Sequence, residues 1–386
     1  MTSTAAPARA LLVAHRLAAA DATGIGRYVR ELATALAGPA GDAGWTIGLA
    51  ATPEAEAPTW VPPGVGVTTL GGNRRRTHLA WTTVGRPRLE RLGPPADVVH
   101  VLSPFTPIPT RTPLVWTVHD TWYLDRPEWG GRIDRWAGAR ALRQAAAGDG
   151  PVITPTAVTA DAAVAVAGID RDRIRVVPEG VAAEFHAAPA DPADPARAEV
   201  LRRHGVVDGR YLLAVGGVGP RKHLDLLVEA LRRLPPAPAA DGPELLVVGP
   251  PGPGGDPVAE ALAGLGARVR LGGFVPGADL PALMAGARAV VHPSRHEGFG
   301  LVPLEAMAAG APVLAGEAPA VIEVTAGAAC VLPDDPDAWA AAVTRLDADP
   351  AWRADLVATG RTHAAAFTWC RAAAATLAVY AEAVGR

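Results

Sequence analysis

Short apolar runs alternate with segments of helical periodicity in both halves of this chain, and that alternation limits the available folds more than any other feature. In the first half, Ala10–Ala14, Val98–Leu102, Leu114–Val118, Val152–Thr154 and Ile174–Val177 read as buried strands. Helical spacing falls on Gly26–Leu36, Ile133–Ala147 and Ala157–Ala167. In the second half, Tyr211–Val215, Leu245–Val248, Ala289–Val291, Pro312–Leu314 and Cys330–Leu332 are strand-like. Leu224, Leu227, Val228 and Leu231 form a helical stripe, and Thr368–Val384 reads as a last helix anchored by Trp369, Leu377 and Tyr380. Apolar runs joined by helices predict parallel sheets buried on both faces. With 386 residues, two such α/β domains are expected. Residues 187–198 (AAPADPADPARA) show no periodicity and read as a linker. Ligands of open parallel sheets bind outside the carboxyl ends of the strands. Two domains facing each other would place a nucleotide-sized ligand in the cleft between them.

Composition removes several function classes. The net charge of −3 leaves no field to hold nucleic acid. It is unevenly spread, +3 over residues 1–180 and −6 over the remainder. Arg74, Arg75, Arg76, Arg86, Arg88 and Arg91 make the first half a candidate face for an anionic membrane or an acidic acceptor, against the simpler reading of solvated helix faces. Two cysteines, Cys330 and Cys370, make no disulfide framework, and no His/Cys cluster has zinc spacing. No apolar run reaches the roughly 18 residues of a membrane span. The N-terminus lacks a basic region followed by a long apolar stretch, so a cytoplasmic location is expected.

Of the 36 basic residues, 35 are arginine and one is lysine, Lys222. A bias this strong converts surface lysines to arginine wherever function permits. The surviving lysine marks a place where a guanidinium fork does not replace a compact ammonium.

Four stretches carry chemistry. The first is His292–Gly310 (HPSRHEGFGLVPLEAMAAG), in which a strand leads through a polar loop into a helix. Glu297 precedes that helix and Glu305 lies within it, so the two carboxylates bracket the helix start and can accept several hydrogen bonds from a hydroxyl-rich ligand. Gly298 and Gly300 expose backbone N–H groups there to an anion. The second is Ala214–His223 (AVGGVGPRKH), in which Arg221 and Lys222 follow a glycine turn and make a phosphate clamp at the next helix start. It lacks Walker A spacing. The third is WTVHD, placing His119 and Asp120 directly after a buried strand, with Asp120 able to orient the imidazole. The fourth is TGIGR (Thr23–Arg27), a glycine turn that resembles a dinucleotide fingerprint but has Val29 at the third glycine position. The D-x-D matches at Asp170–Asp172 and Asp335–Asp337 have no supporting ligands nearby.

Together these stretches resemble the retaining family 4 nucleotide-sugar glycosyltransferases of the GT-B fold. The resemblance runs through EGFGLVPLEAM, with its Glu297 to Glu305 spacing, and through APVLAGEAPAVIEV, PRKH, TVHD, GIGRYVREL and VVPEGV at 176–181. Many members carry arginine where this chain has Gly217. The charge is then supplied by Arg221 beside Lys222, as in a mannosyltransferase-rich branch with proline-arginine-lysine at that point. The resemblance implies an acceptor-binding domain over 1–185, a linker over 186–206, a donor-binding domain over 207–368, and a helix over 369–386 that crosses back as a hinge. It implies donor diphosphate on the amides of Gly298, Phe299 and Gly300, with Arg221 and Lys222 as counter-charges. Glu305 would hold the ribose, Glu297 and His119 would address the sugar ring, and the base would meet backbone near Gly273–Phe274. Gly26, Gly217 and Leu301 complete the implied donor site.

The implied reaction moves a hexosyl group, with mannose favoured and GDP-mannose the candidate donor, to a glycan, lipid-linked or small-molecule hydroxyl. It retains configuration and uses neither metal nor cofactor. The competing readings are a nucleotide-sugar epimerase of the same fold and a catalytically silent partner protein.

Overall fold

A computed structural model describes residues 6–14, 24–51, 60–71, 73–129, 132–189, 191–236, 242, 244–249 and 256–385. It divides into two units, Met1–Gly180 with Thr368–Arg386 and Val181–Phe367. The first unit holds β1 (Ala8–Ala14), β2 (Trp45–Ala51), β3 (Gly66–Thr69), β4 (Val98–Val101), β5 (Leu114–Thr117), β6 (Val152–Thr154) and β7 (Ile174–Val176). They form a seven-stranded sheet in the order β3-β2-β1-β4-β5-β6-β7, with every pair parallel. The second unit holds β8 (Leu212–Val215), β9 (Leu245–Val248), β10 (Val269–Gly273), β11 (Ala289–His292), β12 (Val313–Gly316) and β13 (Cys330–Leu332). These form a six-stranded parallel sheet in the order β10-β9-β8-β11-β12-β13. Both orders are Rossmann-like. The chain winds outward from one central strand, returns, and winds the other way, leaving a switch point between β1 and β4 and another between β8 and β11.

Alternate residues of each strand face opposite layers. In the first unit Leu12, Leu49 and Val98 pack with Tyr28, Leu32 and Leu36 of the Gly24–Ala37 helix and with Trp369, Leu377 and Tyr380 of the Trp369–Ala383 helix. Leu11, Val13, Val99 and Trp116 pack on the other face with Leu142, Ala160 and Ala163. The second unit is layered likewise, with Leu213, Leu246 and Val290 on one side and Leu212, Leu245 and Ala289 on the other. Among the described residues no helix is long and apolar enough to cross a membrane.

Three expectations change. The linker expected over 186–206 contains the helix Pro195–His204. Its start is fixed by Asp194, which accepts from the amides of Ala196 and Arg197, with Pro195 in the first turn, and Gly205 ends it in a left-handed cap. Leu201 and Val206 then join the core of the second unit. The capping chemistry was visible in DPARA, but too few apolar residues accompany it to show a stripe. The glycine turn expected at TGIGR is a helix start: Gly24 and Gly26 occupy the first turn of Gly24–Ala37. Thr23 lies outside the described residues, as do residues 1–5, Ala190 and the Arg74 side chain. Finally, β2, β3, β10 and the helices Arg74–Val84, Pro336–Ala348 and Pro350–Ala364 add to the expected elements. The edge strand β3 is largely exposed and β10 is only partly buried, so neither has the two-sided apolar run that marks a buried strand.

The chain leaves the first unit after Gly180 and re-enters it at Thr368. A Cβ on Gly180 would lie 2.2 Å from the Trp369 backbone nitrogen and 2.6 Å from the Thr368 carbonyl carbon. Only glycine allows these backbones to meet, and the contact seats the final helix on its own unit. Gly180→Ala is expected to lower stability by about 2 kcal/mol or more, since backbone on both sides must yield. Thermal unfolding measures it, and an unchanged melting temperature would contradict the packing described.

Candidate active site

In the second unit the loops after β8 and β11, the neighbours at the switch point, are tied to each other by charge. After β8 the chain turns through Gly216 at φ 130°. A Cβ there would sit 3.0 Å from Lys222 Cε and 3.3 Å from its Nζ, so glycine leaves room for the ammonium to fold back against the strand end. The 3-10 turn Pro220–Lys222 then presents both cations. Lys222 Nζ donates to Glu297 Oε1 at 2.7 Å. Arg221 Nη1 donates to Glu297 Oε2 at 2.8 Å and to the His296 carbonyl at 2.9 Å. The Arg295 amide returns a bond to the Arg221 carbonyl at 3.1 Å. His292, at the end of β11, places Nε2 3.3 Å from Glu297 Oε1.

Burial decides the strength of this cluster. Only 13% of the Glu297 side chain and 15% of the Lys222 side chain are exposed. Burial would raise the Glu297 pKa, but the charges of Arg221 and Lys222 outweigh it and hold the carboxyl well below the usual range. Lys222 is pushed below an ordinary lysine, first by burial and also by Arg221, with Glu297 opposing. His292 is likewise lowered, by burial and by the same two cations. Glu297 therefore neutralises two cations that would otherwise repel each other across one turn.

The helix Leu301–Ala308 starts beside this cluster. Gly300 caps it at φ 114° and ψ 44°, and Gly298 and Phe299 are buried just before it. The Phe299 ring packs edge-on against Phe367, with centroids 6.1 Å apart. Leu301 is half-buried in the first turn and Glu305 is completely buried in the second. The site thus joins two side-chain cations to a helix N-terminus, an arrangement suited to a multiply charged anion. Gly217 follows Gly216 at the strand end, half-buried. Phe274, after β10, is 60% exposed, so its ring is open to a ligand surface.

The first unit carries a second polar cluster. His119, just past β5, is buried, with Nε2 2.9 Å from the Leu102 carbonyl and Nδ1 3.2 Å from Glu179 Oε1. Asp120 was expected to orient this ring; Glu179, from the loop after β7, does so instead. Glu179 stood in the VVPEGV stretch but carried no assigned role. Burial would favour the neutral ring, but Glu179 outweighs it and raises the His119 pKa. Both ring nitrogens thus face acceptors. Tyr28 packs edge-on against His119 at 4.5 Å, and Gly26 is buried two residues before it on the same helix. His292 is the functional candidate that sequence reasoning passed over in the second unit. It opened the HPSRHEG stretch, but nothing in the sequence marked it as buried against Glu297.

The electrostatics carry a pH signature. A carboxyl whose folded pKa is depressed adds stability above its unfolded value and loses it as pH falls toward the folded value. Glu297→Gln is expected to cost about 2–4 kcal/mol at neutral pH, with the gap from wild type closing below about pH 4. Melting temperatures across pH test this, and a gap that stays constant into acid would contradict it.

Comparison with known proteins identifies the family. A profile of "Glycosyltransferase Family 4" matches residues 22–185 and one of "Glycosyl transferases group 1" matches 209–349. A D-inositol 3-phosphate glycosyltransferase of Salinispora arenicola is 37% identical over 70% of this chain and 67% of its own length. The O-antigen chain mannosyltransferase B of Escherichia coli is 34% identical over 53% and 54% respectively. The chain thus spans about half to two thirds of the length of these curated relatives. Sucrose-phosphate synthase of Thermosynechococcus elongatus superposes with a TM-score of 0.74 at 22% identity, over 97% of this chain and 98% of its own. Anabaena HepE in complex with UDP-glucose superposes at 0.68 and 19%, over 96% and 98%. With two parallel Rossmann-like sheets, both profiles matched in order and a relative of this identity and coverage, the chain belongs to the family 4 glycosyltransferases of the GT-B fold.

Proposed function

We propose that this glycosyltransferase moves a hexosyl group, with mannose the favoured sugar, from a nucleoside-diphosphate sugar to a hydroxyl of a glycan, lipid-linked or small-molecule acceptor, with retained configuration. One observation carries the reading. Arg221 and Lys222 converge on a single carboxylate beside the amides of Gly298, Phe299 and Gly300. A diphosphate brings the charge of that carboxylate and more oxygens, so it can take over both cations while resting on the helix start. The related mannosyltransferase and the Salinispora enzyme named for an inositol phosphate support the sugar and a polyol-type acceptor. HepE holds UDP-glucose in a chain of the same fold, which supports a nucleotide-sugar donor.

The reaction breaks the bond between the anomeric carbon and the diphosphate oxygen. Negative charge grows on the departing diphosphate. Lys222, Arg221 and the three amides stabilise that charge with dipoles already in place, so little reorganisation accompanies the step. The acceptor hydroxyl attacks from the same face and hands its proton to the leaving phosphate oxygen. In this reading Glu305 binds the ribose hydroxyls, Glu297 turns from the cations toward the sugar once phosphate replaces it, and backbone at Gly217 and Gly273–Phe274 borders the nucleotide. On the first unit, His119 is assigned to a sugar hydroxyl. The two side-chain cations supply the charge that a divalent ion would otherwise provide.

Screening GDP, UDP, ADP and dTDP by thermal shift tests the donor site. Stabilisation by one of them is expected, and stabilisation by none would contradict it. Lys222→Ala should slow turnover by about 3–4 kcal/mol, or a hundred- to a thousand-fold; turnover within threefold of wild type would remove the lysine from the reaction. Glu305→Ala should raise the donor KM more than it lowers kcat, because ribose contacts persist throughout the reaction. Excess chelator should leave turnover unchanged, and the one-bond C1–H1 coupling at the product's anomeric centre should report the same configuration as the donor's.

A further inference from the structure

The turn that presents the two cations ends on His223, whose backbone is left-handed at φ 50° and ψ 40°. Among the described residues only His223 and Ala326 adopt positive φ without being glycine, a conformation that a Cβ disfavours. Something must hold it there. The His223 ring is buried between two carboxylates, with Nδ1 2.9 Å from Asp225 Oδ1 and Nε2 2.6 Å from Asp334 Oδ1. An ionised carboxylate only accepts, so both ring nitrogens donate and the ring is an imidazolium. The other oxygen of Asp334 accepts from Arg295 Nη2 at 2.9 Å, and the Arg295 amide bonds the Arg221 carbonyl. The cation turn is therefore gripped from three elements: the first turn of the helix Leu224–Arg233, the loop after β13 and the loop after β11.

We propose that His223, as a cation bridging Asp225 and Asp334, is a positioning residue that latches the Arg221–Lys222 turn, so that diphosphate affinity falls when the ring loses its proton. The proposal rests on the donor-site reading above. A neutral ring would turn one bare nitrogen lone pair toward a carboxylate. That repulsion opens the bridge and leaves the left-handed backbone to main-chain bonds alone, from His223 N to the Pro220 carbonyl at 3.3 Å and from Leu226 N to the His223 carbonyl at 3.2 Å. The charged groups facing the ring are Asp225, Asp334 and Arg295. Burial favours the neutral form and Arg295 adds to that, but the two carboxylates outweigh both and place the titration above the ordinary imidazole range.

Calorimetric titration of the full-length protein with GDP, UDP, ADP and dTDP, from about pH 6 to about pH 9, tests the latch in wild type, His223→Asn and Asp334→Asn. Asparagine tolerates the left-handed backbone but cannot titrate. Wild-type affinity is expected to fall about tenfold as pH rises through the His223 titration. His223→Asn should already bind about tenfold more weakly than wild type at the acid end, and the gap between the two should close as pH rises through the His223 titration. Asp334→Asn keeps the ring but removes one stabilising charge, so the fall should move to lower pH; it also carries the test if His223→Asn does not fold. Wild-type affinity and pH profile in His223→Asn, or an unshifted profile in Asp334→Asn, would overturn the latch. If wild type binds none of the four nucleotides, the donor-site reading fails and the latch falls with it, an outcome visible without any variant.

Discussion

The second unit depends on one carboxylate holding two cations. Glu297 joins loops from two neighbouring strands, and each partner has a reason to be there. The arginine reaches both the carboxylate and a backbone carbonyl. The lysine folds back beside Gly216, where an added Cβ would meet its Cε at 3.0 Å. It is the one lysine among 36 basic residues, and it brings a compact point charge rather than a planar fork to the carboxylate. Paired charges this well buried are poor sources of stability, because desolvation consumes most of the attraction. What the pairing does is hold two positive groups close together beside a helix start.

The same logic recurs at three buried histidines. His119 past β5, His292 at the end of β11 and His223 after the cation turn each meet a carboxylate, whereas His100 within β4 meets the hydroxyls of Tyr380 and Thr117. The apolar strands fix where these side chains emerge. Parallel strands place their carboxyl ends on one edge, and the reversal of strand order opens a crevice there. Fold and site are therefore one construction: moving β8 relative to β11 by a single residue would separate Lys222 from Glu297.

Much of this was legible in the sequence. Strands such as Val98–Val101 and Leu245–Val248 were readable, as were the helices Gly24–Ala37 and Leu224–Arg233 with their apolar stripes. The buried strand Trp45–Ala51 and the alanine-rich helices Pro336–Ala348 and Pro350–Ala364 were not. Nor were the more exposed elements: β3 and β10 mix polar and apolar residues, and Pro195–His204 is signalled only by its caps. At the site, Arg221, Lys222, Glu297 and the glycines before Leu301 were readable because unusual residue types sat at a strand end or a helix start. Partnerships were not readable. Glu179 lies sixty positions from His119, and Asp334 lies 111 from His223. Such pairings are set by strand order, which no local pattern encodes.

Titrating amide-labelled protein with the nucleoside diphosphate it binds most tightly, and locating that nucleotide by crystallography, tests the central claim most directly. Diphosphate oxygens are expected within about 3 Å of the Gly298–Gly300 amides and of Lys222 Nζ, with those amide resonances moving first. A nucleotide seated elsewhere, with the three amides unmoved and the Lys222–Glu297 pair intact, would contradict it.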